Sequence, residues 1–193
     1  DPLDYHSEVR GLQAAERADV AILLVDASAG VRENDLPVAD AMRERDCAVI
    51  VALSKWDINE VDLHDVTETI AQKLRQRPEV VTTSGTTNRS VHKLLRKAVE
   101  LHDRAAQRVG TGELNRALRD IKERTPPPLD KRTRRRLNLL YGTQVQAGPP
   151  KFRIFVNDKR LMTRSYGYYI ENQLRERFGF EGCPLVIEYR SRA

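Results

Sequence analysis

Two apolar runs constrain what this chain can become. Asp19 to Val25 reads DVAILLV, and Ala48 to Leu53 reads AVIVAL. Neither alternates polar with apolar residues, which is the pattern of a strand covered on both faces. The segments around them change to a helical period. Asn34 to Arg45 places Leu36, Ala39 and Met42 on one face, with Asn34 suited to cap it and Pro37 tolerated in its first turn. Val66 to Arg77 points Ile70 and Leu74 inward, and Glu79 to Thr83 reads as a short strand. Ser90 to Arg108 is a long helix carrying Val91, Leu94, Leu95, Ala98 and Leu101, and Glu8 to Glu16 is a helix with Val9, Leu12 and Ala15. Strand and helix in alternation predict an α/β unit, a parallel sheet with helical crossovers.

The pattern breaks near Gly110-Thr-Gly112. Glu113 to Arg124 is helical, and Thr125-Pro-Pro-Pro128 stops it. Leu137 to Gln146 and Lys151 to Asn157 read as strands joined by the turn Gln146-Ala-Gly-Pro-Pro150. Ser165 to Phe178 is a helix with Tyr169, Ile170 and Leu174 spaced for burial, and Pro184 to Tyr189 is a last strand. The order α-β-β-α-β makes residues 111–193 a small α+β domain, set apart from residues 1–110.

Charge divides at the same place. The net charge is +5, yet residues 1–110 hold 15 Lys/Arg against 19 Asp/Glu, a balance of −4, while residues 111–193 hold 18 against 9, a balance of +9. The second part therefore suits a polyanionic partner. Its densest cluster is KRTRRR, Lys131 to Arg136. Such a run is equally at home as a solvated charged face. As a binding element it would offer Lys131, Arg132, Arg134, Arg135 and Arg136 to a phosphate backbone. No apolar run reaches the roughly 20 residues of a membrane span. Cys47 and Cys183 stand in no metal or redox spacing, and His6, His64, His92 and His102 lack neighbours at ligand spacing. A cytoplasmic protein without a metal site is expected. The tyrosines 166, 168 and 169 lie within the predicted helix and read as core or interface residues.

The chemistry converges on Val51 to Asp57, VALSKWD. Ligands of open α/β sheets sit beyond the carboxyl ends of the strands, where Ser54-Lys55-Trp56-Asp57 falls. A carboxylate there can accept two parallel hydrogen bonds from the guanine N1–H and exocyclic amine. A lysine beside it can lay its alkyl stem along the flat base. Adenine presents no matching pair of donors, and a buried partner left unpaired is costly, so the carboxylate also selects. The next strand end, Thr83-Ser84-Gly85-Thr86, can turn backbone N–H groups toward the guanine carbonyl oxygen, with Gly85 allowing close approach. Trp56 either rims the base or packs beneath it.

SKWD and SGT resemble the paired guanine-recognition elements of translation-factor-class GTPases. The stretches ERADVAILLVDASAGVRENDL, RSVHKLL, TPPP, FVND and YIENQLRERFGFEGCP are similar to the Der (EngA) family, bacterial ribosome-assembly GTPases with two G domains and a C-terminal KH-like domain. The resemblance covers nearly the whole chain. It implies the later part of a P-loop GTPase-type sheet in residues 1–110 and a KH-like domain in residues 111–193. Asp57 would read the guanine N1–H and amine, Lys55 would pack on the base and ribose, and Ser84, Gly85 and Thr86 would form the second guanine-contacting turn. Ser54 stands where the family has Asn, Gly85 where Ala is usual, and Asn88 where Gly is usual; Asn best tolerates a left-handed backbone. The resemblance further implies GTP or GDP and Mg²⁺ as ligands of the parent protein, a role in maturation of the large ribosomal subunit with its RNA as partner, and docking of the KH-like domain on G domains. The sequence contains no G-x-x-x-x-G-K-[ST] phosphate loop. The phosphate-binding part is expected upstream in a longer polypeptide, and this chain alone is expected to lack GTP hydrolysis. The alternative is a non-enzymatic RNA- or ribosome-binding adaptor.

Overall fold

The computed structural model describes residues 17–30, 35–58, 62–130 and 133–192. The expected helix Glu8–Glu16, the cap Asn34 and the cations Lys131 and Arg132 lie outside them. Contacts divide the chain into two units: Asp1–Ala105 with Glu181–Pro184, and Ala106–Phe180 with Leu185–Ala193.

The first unit is a three-stranded parallel sheet in the order β1 (Val20–Asp26), β2 (Ala48–Ser54), β3 (Val80–Thr82). Seven residues of β1 pair with seven of β2, from Val20 opposite Ala48 to Asp26 opposite Ser54. The central β2 is buried along Ala48–Leu53, which accounts for its unbroken apolar sequence. One face of the sheet carries Leu23, Val25, Val49, Val51 and Leu53. It packs with Ala39 and Met42 of α1 (Asp35–Glu44) and Ile70 of α2 (Leu63–Lys73). Helix α3 (Val91–Ala105) packs against β1 and β2.

Helix α2 begins three residues before the expected Val66, because Asp62 caps it by accepting the His64 N–H at 2.7 Å. It also ends before Arg77, whose φ is 47°, ahead of Pro78. Along β1 the alternate residues Ile22 and Leu24 are 38% and 66% exposed, and on α3 Leu95 and Val99 are exposed as well. Residues Glu181–Pro184 complete the other end of this unit. The Val49 N–H donates to the Gly182 carbonyl at 2.8 Å, and the Gly182 N–H to the Gln76 carbonyl at 2.8 Å. Gly182 has φ 80°, and a Cβ there would lie 2.7 Å from the Val49 carbonyl, so both backbone conformation and space require glycine.

The second unit runs α4 (Thr111–Arg124), β4 (Leu139–Gln146), β5 (Lys151–Val156), α5 (Arg164–Phe178), β6 (Val186–Ser191). Strand β5 is central, antiparallel to β4 and parallel to β6. Its Phe152, Ile154 and Val156 are fully buried and alternate with half-buried Lys151, Arg153 and Phe155, the period of a sheet with one covered face. Leu114, Ala117, Leu118 and Ile121 of α4 are buried on that side. Gly142 of β4 has no side chain, which leaves room for Leu118. Thr163 caps α5 by accepting the Tyr166 N–H, and Gly179 ends it in the left-handed conformation.

Candidate functional site

The carboxyl ends of the three parallel strands are laced together. The Ala27 N–H donates to the Ser54 carbonyl at 3.1 Å, the Thr83 N–H to Leu53 at 2.7 Å, and the Trp56 N–H to Thr83 at 3.2 Å. These bonds bring Ser54–Asp57 beside the turn that follows β3, joining the two sequence elements across 27 residues of chain. Lys55 leaves the strand with φ 55°, an uncommon conformation for a side-chain-bearing residue, and Trp56–Ile58 follow as a single 3₁₀ turn. The strain is held by the flanking strand-end hydrogen bonds.

Each side chain then has a defined setting. The Ser54 hydroxyl donates to the Val25 carbonyl at 3.1 Å and is turned inward along the sheet. The exposed Lys55 ammonium lies 2.8 Å from Asp26 Oδ2. Asp26 Oδ1 also accepts the Ser28 N–H at 2.9 Å and the Ser28 hydroxyl at 2.6 Å. The Lys55 hydrogen bond, followed by those from Ser28, holds the Asp26 carboxyl well below the usual carboxylate range. Trp56 is half-buried and packs against the core cluster of the first unit. Asp57 is exposed, and its carboxylate makes no hydrogen bond among the described residues.

Ser84 is fully buried, and its hydroxyl accepts the Thr87 N–H at 3.2 Å. The Ser84 N–H donates to the Arg89 carbonyl at 3.3 Å, closing a loop that presents Gly85 and Thr86 to solvent. Asn88 has φ 57°, so it adopts the left-handed conformation for which the family resemblance calls. A Cβ on Gly85 would meet nothing within 4 Å and its φ is not left-handed, so alanine fits there without strain. Chemically, the site offers the exposed Asp57 carboxylate, a lysine held by Asp26 and a loop of exposed backbone. The set suits a flat heterocycle with adjacent donors. Asp26 was missed in the sequence; its signal is the register that ends β1 opposite Ser54.

In the second unit, Arg134, Arg135 and Arg136 are exposed on a loop closed by Asp130, which accepts the Thr133 N–H at 2.6 Å. Arg135 reaches Asp158 at 3.5 Å, and Arg160 meets the same carboxylate at 2.9 Å. The Arg160 hydrogen bonds hold Asp158 down to about 2, with Arg135 adding to the effect. Tyr166 is buried and donates to the Thr125 carbonyl at 3.0 Å, so it is a core residue. Tyr168 binds Arg164 on its own helix. Among the described residues, no group of three His, Cys, Asp or Glu side chains could hold a metal, and no helix is long and apolar enough to cross a membrane.

Comparison with known proteins gives two matching family models. One, described as the KH-domain-like C-terminal region of EngA bacterial GTPase enzymes, matches residues 108–190. The other, the elongation factor Tu GTP binding domain, matches residues 3–104. The GTPase Der of Clostridium perfringens strain SM101 is 39% identical over 197 residues, covering 100% of this chain and 44% of that protein. The GTPase Der of Alkaliphilus metalliredigens is 37% identical over 197 residues, covering 99% and 44%. That of Symbiobacterium thermophilum is 38% identical, covering 100% and 41%. The chain therefore spans less than half the length of these relatives.

Proposed function

Because this chain belongs to the Der (EngA) family of bacterial GTPases, we propose that it supplies the guanine-reading part of a GTP-binding domain together with a KH-like module. The parent polypeptide binds GTP and GDP with Mg²⁺, hydrolyses GTP, and acts in the cytoplasm on the maturing large ribosomal subunit. Within this chain the fit is to the base alone. Asp57 accepts the guanine N1–H and amine, the Lys55 stem covers a base face, and the Ser84–Thr86 backbone faces the guanine carbonyl. Phosphates and Mg²⁺ are left to residues outside this chain, since phosphate binding draws on a glycine-rich loop and its lysine. The basic second unit contacts ribosomal RNA through Arg134, Arg135 and Arg136, with Lys131 and Arg132 in the same run.

The observation that carries this reading is the Trp56–Thr83 hydrogen bond, which sets the Lys55–Asp57 turn beside the Ser84–Thr86 loop. The test is equilibrium binding of fluorescent GDP and ADP by the parent polypeptide. The reading expects GDP to bind and ADP to compete poorly; equal binding of both, or of neither, overturns it. One observation favours a second reading, a nucleotide-independent RNA- or ribosome-binding adaptor. The Ser54 hydroxyl is already committed to the Val25 carbonyl and leaves the loop without the reach of an asparagine. Co-sedimentation with large ribosomal subunits separates the two: the GTPase reading expects it to change between GTP and GDP, the adaptor reading does not.

A further inference from the structure

The sheet of the second unit has a second face that none of the foregoing uses. Its covered face carries Phe152, Ile154 and Val156. The opposite face is read directly from the strand register. Tyr141 on β4, Phe155 on β5 and Arg190 on β6 form one row across all three strands, and Thr143, Arg153 and Glu188 form the next. The Tyr141 and Phe155 rings are stacked, with centroids 4.5 Å apart and planes 17° apart. Tyr141 nevertheless stays 45% exposed. Arg190 is 58% exposed beside Phe155 in register. Glu188 gathers Lys151 at 3.0 Å, Arg153 at 3.1 Å and Arg190 at 3.7 Å, so this patch holds three cations against one carboxylate.

Burying an aromatic pair is the usual reason to stack it, yet here the Tyr141 ring stays exposed over a half-buried Phe155. A large exposed ring held in one orientation by a neighbour, on a flat surface flanked by cations, is preorganised for another planar group. Bases in single strands stack on such rings while nearby Lys and Arg take the phosphates. Bases in a duplex are already stacked on each other and cannot. The balance of +9 over residues 111–193 favours a polyanion over a protein partner on the same face.

We propose that the open face of the β4–β5–β6 sheet binds single-stranded RNA. In this site Tyr141, backed by Phe155, is the base-stacking platform, and Arg190, Arg153 and Lys151 contact the flanking phosphates. The proposal rests on the RNA contact proposed above and adds a site distinct from the arginine loop. That loop supplies charge without an aromatic surface, so the two differ in what they can distinguish.

The test is fluorescence anisotropy of the full chain with a labelled oligouridylate of about ten nucleotides and with a hairpin duplex, across a salt series. Tyr141→Leu is expected to weaken single-strand binding about tenfold with an unchanged salt slope, and Tyr141→Phe to restore it. Arg190→Gln is expected to reduce the salt slope by about one. Joint Arg135→Gln and Arg136→Gln substitution is expected to weaken single strand and duplex alike. If Tyr141→Leu binds the oligouridylate like the parent sequence, the platform is wrong while the RNA contact stands. If the unsubstituted chain binds neither RNA, both fall. A concentration-dependent dimer abolished by Tyr141→Leu also overturns the proposal and assigns the face to a second copy. Circular dichroism checks each variant's fold, and if Tyr141→Leu does not fold, the salt slope of exposed Arg190→Gln decides.

Discussion

Lys55 Nζ sits 2.8 Å from Asp26 Oδ2, tying the ends of two neighbouring parallel strands. The pair fixes the direction of a lysine whose backbone is already left-handed. Asp26→Ala is therefore expected to weaken GDP binding by the parent polypeptide about two- to fivefold, the range of a solvent-exposed pair. The folded Asp26 lies below its ordinary value of 3.8, so the pair's contribution is complete above that pH and is lost as the pH falls below it through the lowered value. Titration of GDP affinity between about pH 5 and pH 8 should show no step from this pair; a step removed by Asp26→Ala would contradict the assignment.

Asp57 is exposed, and among the described residues its carboxylate makes no hydrogen bond, where reading guanine needs an acceptor for two donors. Asp57→Asn replaces one acceptor oxygen with a donor. Guanine then faces a donor opposite its amine, whereas xanthine offers a carbonyl there. GDP affinity should fall by about 2–3 kcal/mol while xanthosine diphosphate gains. Competition calorimetry measures both. An equal loss for the two nucleotides would mean that the substitution damaged the loop and that Asp57 does not read the base.

Two buried acids make the chain sensitive to alkali. Burial pushes the Cys47 thiol up from 9.0 to about 11, with Asp19 adding to it, and pushes the Tyr166 hydroxyl up from 10.0 to about 12. Both are neutral when protonated, so the unfolded chain gives up its protons first. Their contribution is complete below pH 9 and is lost as pH rises through 9 to 12. Thermal melts at rising pH should show a plateau at neutrality and a decline above it. Tyr166→Phe should flatten the upper part of that decline and cost about 1 kcal/mol at neutral pH, from the lost bond to Thr125.

Arg175 and Glu171 form an ion pair within α5, 2.8 Å apart, with Arg175 fully buried and also donating to the Phe180 carbonyl at 3.0 Å. Breaking one side strands a charge away from water. Arg175→Met should destabilise the second unit by about 3–5 kcal/mol, and Glu171→Leu with Arg175→Met should recover much of it. Urea unfolding of the single and double variants decides. A double variant as weak as the sum of the singles would place the stability in packing and remove the pair from the account.

The strands were legible because β2 is buried on both faces and could be written only in apolar residues. Helix α2 was placed three residues late because Asp62 to Asp65 holds one apolar residue, and a cap works through a backbone hydrogen bond that periodicity does not register. The position of Lys55 and Asp57 followed from their place just beyond an apolar run. Asp26 did not, since pairing it with Lys55 needs the strand register, a relation between residues 29 positions apart. The same reason hid the Tyr141–Phe155–Arg190 row, whose members lie on three strands, while the continuous KRTRRR run drew attention to itself.

The short segment Glu181–Pro184 belongs to the first unit although it follows most of the second in the chain. It answers the Val49 N–H and takes the Gln76 side-chain amide, which is 4% exposed and bonds Gly182 and Cys47. The first unit is therefore discontinuous along the chain. No single genetic crossover can transplant one intact, because a cut after Ala105 carries off four residues of its neighbour's architecture. A lineage that inherits the three-stranded parallel sheet in this form inherits the whole tail with it.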